Sequence, residues 1–316
     1  MKELVEIIRA YEEAKLNDIQ TVLATVVHVD GSSYRRPGAR MLVLESGLMI
    51  GAISGGCLEG DALKKALLTF SDKTTRLITY DTINEDDVSV GIQLGCEGII
   101  QVLFEYIDYT NHNNPIELFK TACAKRQKAV AVSLFDLQNK KNPLMGTSSL
   151  LIEKNKLVSN LTNDINTLIN EQALQVLSAG YSRFTQIKIG ENVLEVFLDY
   201  IQPAISIIIV GAGNDAIPLT QMSDILGWEV KVVDGRNTHA KKERFISACQ
   251  VLVSKPEKVL EQIDVEDRTC FVLMTHNYQY DLQILKALIP LNVPYIGLLD
   301  RKSTRLNSSH TDISRM

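Results

Sequence analysis

From residue 203 to residue 300 the chain alternates apolar strand-like runs with helical segments, and this alternation constrains the fold most strongly. Five runs of strand length, from AISIIIVGAG to PYIGLL, are separated by amphipathic stretches. Strands that alternate with helices are joined by right-handed crossovers, so they form a parallel sheet with helices on both faces. The sequence therefore predicts a C-terminal Rossmann-like, doubly wound α/β domain over residues 203–300.

A glycine-rich turn follows the first strand of this region. Gly211, Gly213 and Ala216 form a GxGxxA motif directly before a helix, and Asp234 ends the next strand. Gly211 permits a tight turn, Gly213 lets a pyrophosphate approach the backbone, and Ala216 lets the helix pack closely on the sheet. Asp234 would accept a hydrogen bond from a ribose, which favours NAD over NADP, although Arg236 would weaken that preference. The motif predicts an NAD(P) site, and a Rossmann turn without a nucleotide is the alternative.

His276 is the candidate catalytic residue of this domain. It follows the fourth strand, and parallel sheets bind their ligands at the carboxyl ends of strands. Imidazole exchanges protons near neutral pH, so His276 could act as an acid or a base. The alternative is a histidine that hydrogen-bonds the loop, with Asp281 starting the next helix. Asn214 is predicted to cap the helix after the GxGxxA turn.

The N-terminal part is predicted to be an α+β region that contains an internally duplicated small sheet. A helix, a strand, a loop, two strands and a helix occur twice in the same order. Each copy closes on a similar strand, IIQVLFEYI at residues 99–107 and VLEVFLDYI 94 residues later. We therefore expect a degenerate duplication, with domains at 1–110 and 111–202.

Only the first copy combines arginines, glycine bends and cysteines. These candidate cofactor-binding residues are Arg35, Arg36, Arg40, Ser54, Gly55, Gly56, Cys57, Gly95, Cys96 and Glu97. Guanidinium groups suit phosphate, a helix N-terminus such as that after Cys57 stabilises a thiolate, and thiolates prefer soft metal centres. A solvated arginine loop and small buried cysteines are the alternative. Because the second copy keeps the strands without these features, we expect a pocket for a metal complex that carries phosphate.

Along residues 21–299 the sequence resembles the XdhC/CoxI family, accessory proteins of molybdenum hydroxylases such as xanthine dehydrogenase. The resemblance rests on GSSYRRPGARMLV, GAISGGCLEGD, GCEG, GAGNDAIPL, VVDGR, MTHNYQYD and YIGLL, in that order. It implies a protein that binds the molybdenum cofactor (molybdopterin), helps its sulfuration and delivers it to the apo-enzyme. It also implies that Cys57 and Cys96 contact the molybdenum, and that the arginine loop holds the pterin phosphate.

Composition narrows the possible partners and the compartment. The 33 basic and 38 acidic residues give a net charge of −5, which argues against a nucleic-acid partner. The longest apolar stretch is far shorter than the roughly 20 residues of a membrane-spanning helix. Five cysteines without a CxxC pair argue against a disulfide framework and favour the cytoplasm. Three of them are predicted core residues, namely Cys123, Cys249 and Cys270.

Three functions follow from these observations. The first is delivery of molybdenum cofactor to a xanthine dehydrogenase-type hydroxylase, and the second is an NAD(P)-dependent oxidoreductase that uses His276. The third is a docking module for a cysteine desulfurase or for the apo-dehydrogenase, and a homodimer is left open. Residues 301–316 lack apolar periodicity, and we expect them to be a non-native tail.

Overall fold

The computed structural model describes residues 1–81, 98–140, 142–153 and 156–299. They fall into two compact units, one spanning Glu3–Pro203 and the other beginning at Ala204. The predicted fold class is confirmed, since unit 1 contains two small antiparallel sheets and unit 2 contains a parallel sheet.

Unit 1 repeats one arrangement of two helices and five strands. The elements of the first copy are α1 (Lys2–Leu16), β1 (Thr21–Gly31), β2 (Arg40–Leu44), β3 (Met49–Gly51), α2 (Glu59–Asp72), β4 (Arg76–Asp81) and β5 (Gly98–Tyr106). Those of the second are α3 (Pro115–Cys123), β6 (Ala129–Phe135), β7 (Gly146–Ile152), β8 (Lys156–Ser159), α4 (Asn163–Ala179), β9 (Arg183–Ile189) and β10 (Asn192–Ile201). The strand orders, β3-β2-β1-β5-β4 and β8-β7-β6-β10-β9, are identical.

The strand register shows which residues of the two copies are equivalent. Val22 pairs with Tyr106 in the first sheet, and Val130 pairs with Tyr200 in the second. The two tyrosines are 94 residues apart, which is the offset expected from the closing strands, whereas the two valines are 108 residues apart. Equivalent positions can therefore be compared across the copies.

Apolar side chains on both faces of the two sheets build the core of unit 1. α2 covers one face of the first sheet, and α4 covers the corresponding face of the second. The opposite faces share a cluster with α1 and α3, in which Ile7, Tyr11 and Phe119 are fully buried. Buried residues of α1 recur at the three- and four-residue spacing of one helical face.

Unit 2 is a five-stranded parallel sheet with helices on both faces. Its elements are β11 (Ser206–Val210), α5 (Ala216–Ile225), β12 (Glu229–Asp234), β13 (Gln250–Val253), β14 (Thr269–Leu273), α6 (Tyr278–Leu288) and β15 (Tyr295–Leu298). The order β13-β12-β11-β14-β15 matches the first five strands of the Rossmann order 3-2-1-4-5-6. Ile207 and Ile209 face one apolar cluster while Ile208 and Val210 face the other, as expected for a sheet covered on both sides.

Candidate functional site

The glycine bend at Ser54–Cys57 joins β3 to α2, and its own hydrogen bonds hold it. The Ser54 N–H donates to Oε1 of Glu59 at 2.9 Å, and the Ser54 hydroxyl donates to Oε2. The same hydroxyl accepts from the N–H groups of Gly56 and Leu58, at 3.1 and 3.0 Å. Burial disfavours the Glu59 carboxylate, but these hydrogen bonds outweigh it and lower its pKa. Ser54 therefore orders the bend through bonds inside it.

The arginine loop, residues 32–39, lies beside this bend. Nε of Arg35 donates to the carbonyl of Ala52 at 3.2 Å, and its Nη2 pairs with Glu3 of α1. The Tyr34 ring covers Gly55, where a Cβ atom would lie 3.1 Å from the ring, and 77% of Tyr34 is exposed. These contacts bring together the loop and the bend that the sequence assigned to one pocket.

The three arginines have different environments. Arg35 is held by the two contacts described above. Arg40 is 6% exposed, its Nη2 lies 2.5 Å from Oδ2 of Asp199, and its guanidinium stacks 4.1 Å above the ring centre of Phe119. Arg36 is exposed and makes no side-chain hydrogen bond or ion pair with any residue that the structure describes. Arg40 is thus committed to an internal pair, whereas Arg36 is exposed and has no side-chain partner among the described residues.

The cysteines also separate by environment. Cys57 is a free, half-buried thiol that packs against the cluster beneath α2. Gly95, Cys96 and Glu97 lie outside the described residues. Cys123 and Cys270 are half-buried, and burial raises the pKa of both thiols. The prediction that Cys249 is a core residue is wrong, because this residue, directly before the outer strand β13, is exposed. In the part of the chain that the structure describes, no three His, Cys, Asp or Glu residues converge on a metal site.

A cavity of about 540 Å³ opens at the carboxyl ends of β11, β12 and β14 in unit 2. The GxGxxA turn, the loop after β12 and His276 line it. Gly211 has φ +128°, and its missing side chain leaves room for the Met274 carbonyl. Ala216, the first residue of α5, is fully buried against the sheet. The turn therefore has the close packing that the motif predicts.

The carboxylate of Asp234 is already occupied. It accepts the Ala212 N–H at 2.7 Å, and the Arg236 side chain donates to both oxygens at 2.9 and 2.7 Å. Burial disfavours its charge, but the Arg236 contacts outweigh it and lower the pKa of Asp234. A ribose hydroxyl would have to displace this ion pair.

The Asp215 carboxylate lies against Gly213, the residue at which the motif predicts a pyrophosphate. Its Oδ1 takes the place that a Cβ on Gly213 would have, and its Oδ2 lies 2.7 Å from Nε2 of His276. His276 adopts φ +59°, an uncommon conformation for a non-glycine residue. A carboxylate there repels a pyrophosphate, so a dinucleotide would have to displace Asp215 from Gly213.

The cap of α5 differs from the prediction. The helix begins at Ala216 with Asp215 at its N-cap, so the assignment of the cap to Asn214 is wrong. Oδ1 of Asn214 instead accepts from Nη2 of Arg244 at 2.8 Å, while Nη1 of Arg244 donates to the carbonyl of Ala212 at 2.7 Å. Arg244 thereby ties the glycine turn to the loop after β12.

Two family models match the sequence. One, the XdhC and CoxI family, matches residues 16–81, and the other, the XdhC Rossmann domain, matches residues 207–310. A Bacillus subtilis (strain 168) protein, named as a probable xanthine dehydrogenase subunit, is 31% identical over 294 residues, which cover 92% of this chain and 83% of that protein. This chain belongs to the XdhC and CoxI family. The Rossmann match includes residues 301–310, within the segment that we expected to be non-native.

Other relatives of this XdhC and CoxI family member are similar over different shares of the chain. The molybdenum cofactor insertion chaperone PaoD of Escherichia coli (strain K12) is 38% identical over 74 residues, 23% of each chain. A crystal structure described as a xanthine dehydrogenase from Bacillus halodurans has a TM-score of 0.72 and 28% identity. The match covers 97% of this chain and 86% of that one.

The first family match contains the arginine loop and the glycine bend, and the second contains the GxGxxA turn and His276. Sequence reasoning missed Tyr34, although an aromatic residue beside two arginines was a signal. It also missed Glu59, which follows the bend at the start of α2. No helix among the described residues of this XdhC and CoxI family member is long and apolar enough to span a bilayer.

Proposed function

We propose that this protein binds the molybdenum cofactor and delivers it to a molybdenum hydroxylase of the xanthine dehydrogenase type. The observation that carries the proposal is the exposed guanidinium of Arg36, unpaired among the described residues, on a loop held against the bend of Cys57. Family membership and similarity to an insertion chaperone support an accessory role.

The residues at this surface fit the chemistry of such a cargo. A planar, exposed guanidinium suits a terminal phosphate, which it can bind through two parallel hydrogen bonds. The exposed Tyr34 ring offers a face on which a planar pterin can stack. The Cys57 thiol supplies a soft ligand for molybdenum, and Cys96 is the second predicted ligand.

In this proposal the protein binds and releases and does not turn over a substrate. Arg36 holds the phosphate, Tyr34 orients the ring, and Ser54 with Glu59 keeps the bend in place without contacting the cargo. Because Arg36 and Tyr34 are exposed, an acceptor enzyme can approach the bound cofactor directly. Sulfuration on this protein would bring a cysteine desulfurase to the same surface.

The test is anaerobic incubation with molybdenum cofactor released from a purified molybdenum hydroxylase, followed by gel filtration and analysis of molybdenum and pterin. We expect stoichiometric retention by the wild type. Arg36→Ala should weaken binding at least about tenfold, the effect of losing a charge-assisted hydrogen bond, and Cys57→Ala should lower the retained molybdenum. Cys249→Ala, which removes an exposed thiol in unit 2, is the matched control. Equal retention by all four proteins would overturn the site assignment.

The described contacts in unit 2 do not favour the alternative function, an NAD(P)-dependent oxidoreductase. Asp215 covers Gly213, and Arg236 occupies Asp234, so the two groups that should meet a dinucleotide are engaged internally. The His276 side chain contacts the Asp215 carboxylate, and this pair takes no part in the proposed binding and release of cofactor.

A further inference from the structure

A buried acidic residue of the second copy contacts the end of the arginine loop. Asp199 on β10 lies 2.5 Å from Nη2 of Arg40 through its Oδ2. Nη1 of Arg40 donates to the carbonyl of Gly38 at 3.0 Å. A Cβ on Gly38 would lie 3.0 Å from Oδ1 of Asp199, so glycine is what allows this approach. Ser182 donates to the same Oδ1 at 3.1 Å and holds the carboxylate from its own copy.

These contacts flank the turn that carries Arg36. The Ala39 N–H donates to the carbonyl of Arg36 at 3.1 Å, and the Gly38 N–H donates to the carbonyl of Val26 at 2.8 Å. Gly38 has φ +91°, a conformation that glycine adopts without strain. The turn 36–39 is therefore fixed at its far end by Gly38 and Arg40, the two residues that Asp199 touches.

Glu105 of the first copy makes the equivalent contact with the second copy. Glu105 on β5 precedes Asp199 by 94 residues, the offset of the closing strands. Its Oε1 accepts the Thr147 N–H at 2.5 Å, its Oε2 accepts the Thr147 hydroxyl at 2.9 Å, and a Cβ on Gly146 would lie 3.1 Å from Oε1. Gly146 follows Gly38 by 108 residues and also has a positive φ of +142°. Each copy thus places an acid from its closing strand against the glycine of the other copy.

The two contacts differ in what they support. In the first copy the glycine ends the loop that carries the exposed Arg36, and Arg40 completes the contact. In the second copy the position equivalent to Arg40, 108 residues later, is Ser148. The loop before Gly146 contains no arginine. The duplicated fold has kept both acids, whereas only Asp199 supports a loop with ligand-binding side chains.

We propose that Asp199 is a positioning residue, which fixes the turn 36–39 so that the Arg36 guanidinium is directed at the phosphate of the cargo. The second copy therefore serves as the support of the ligand loop in the first. This inference rests on the proposed function for the identity of the cargo, whereas the support of the turn is independent of it.

The test compares Asp199→Asn with its symmetric control, Glu105→Gln. Amide hydrogen exchange of the cargo-free protein should rise at Gly38 and Ala39 in Asp199→Asn and stay unchanged there in Glu105→Gln. Anaerobic retention of molybdenum cofactor should fall about tenfold in Asp199→Asn, the loss expected when one oriented charge contact weakens, and should stay at the wild-type level in Glu105→Gln. Asp199→Glu keeps the charge and should restore part of the retention.

A second variant removes the ion pair without leaving a buried charge. Arg40→Met with Asp199→Leu replaces both partners by apolar groups, which buried ion pairs often tolerate. It should fold and show the same selective loss of retention. Wild-type retention and unchanged exchange in Asp199→Asn and in the double variant would overturn the proposal. If the wild-type protein itself retains no cofactor, the proposed function fails, and exchange at Gly38 and Ala39 then decides alone whether Asp199 holds the turn.

Discussion

Glu105 is a buried acid whose ionisation should control how the stability of unit 1 depends on pH. It is 3% exposed, and burial raises its pKa from 4.5 to about 7, although the Thr147 hydrogen bonds and the charge of Arg40 act in the opposite direction. Glu105→Gln keeps acceptor and donor atoms for Thr147 and removes the ionisation. This substitution therefore isolates the effect of the carboxyl charge.

The magnitude follows from the difference between the folded and unfolded pKa. Below pH 4.5 the carboxyl is protonated in both states, and its contribution to stability is fully present. As the pH rises, the unfolded chain ionises first, so that contribution is lost until the folded carboxyl also ionises at about pH 7. A pKa rise from 4.5 to about 7 corresponds to roughly 3 kcal/mol, of which about 2.5 kcal/mol falls between pH 5 and pH 8.

The assay is urea unfolding of both proteins at pH 5 and pH 8, followed by far-ultraviolet circular dichroism. The single tryptophan, Trp228, packs in unit 2, so its fluorescence reports on the other unit. We expect the free energy of unfolding of Glu105→Gln relative to wild type to increase by about 2.5 kcal/mol from pH 5 to pH 8. Parallel pH profiles for the two proteins would refute the reasoning.

Three further substitutions test other contacts. Arg40→Met leaves the Asp199 carboxylate buried without its cation. The free energy of unfolding of unit 1, measured by circular dichroism, should fall by about 3–5 kcal/mol. A loss below about 1 kcal/mol would contradict a buried ion pair. Gly211→Ala places a Cβ against the Met274 carbonyl and should destabilise unit 2 by about 1–3 kcal/mol. Urea unfolding followed by Trp228 fluorescence measures this loss. An unchanged midpoint would contradict the close approach of Gly211 to that carbonyl. Tyr34→Ala should weaken cofactor retention about threefold to tenfold through the loss of stacking. The melting temperature should stay unchanged because the ring is exposed. Wild-type retention would exclude the stacking role of Tyr34.

The fold could be predicted because its signals are local. Alternating apolar runs after residue 203 specify strands and crossovers, and the similar closing strands at 99–107 and 193–201 reveal the duplication. Both depend on the periodicity of side chains along short segments, which the sequence shows directly.

The environment of each site residue could not be predicted in the same way. Arg40 meets Asp199 from 159 residues away, and Arg35 meets Glu3 from α1. Such partners depend on how whole sheets and helices pack, and the spacing of residues within a motif carries no information about them. Sequence reasoning therefore grouped three arginines that have different environments, and of the three only Arg36 has no side-chain partner among the described residues.

The central claim, that this protein carries the molybdenum cofactor to an acceptor, is tested most directly by transfer. Loaded protein would be mixed anaerobically with a cofactor-free molybdenum hydroxylase of the xanthine dehydrogenase type, and molybdenum would be counted in both after separation. We expect molybdenum to leave the carrier and hydroxylase activity to appear in proportion. Molybdenum that stays on the carrier while the hydroxylase remains inactive would contradict the account.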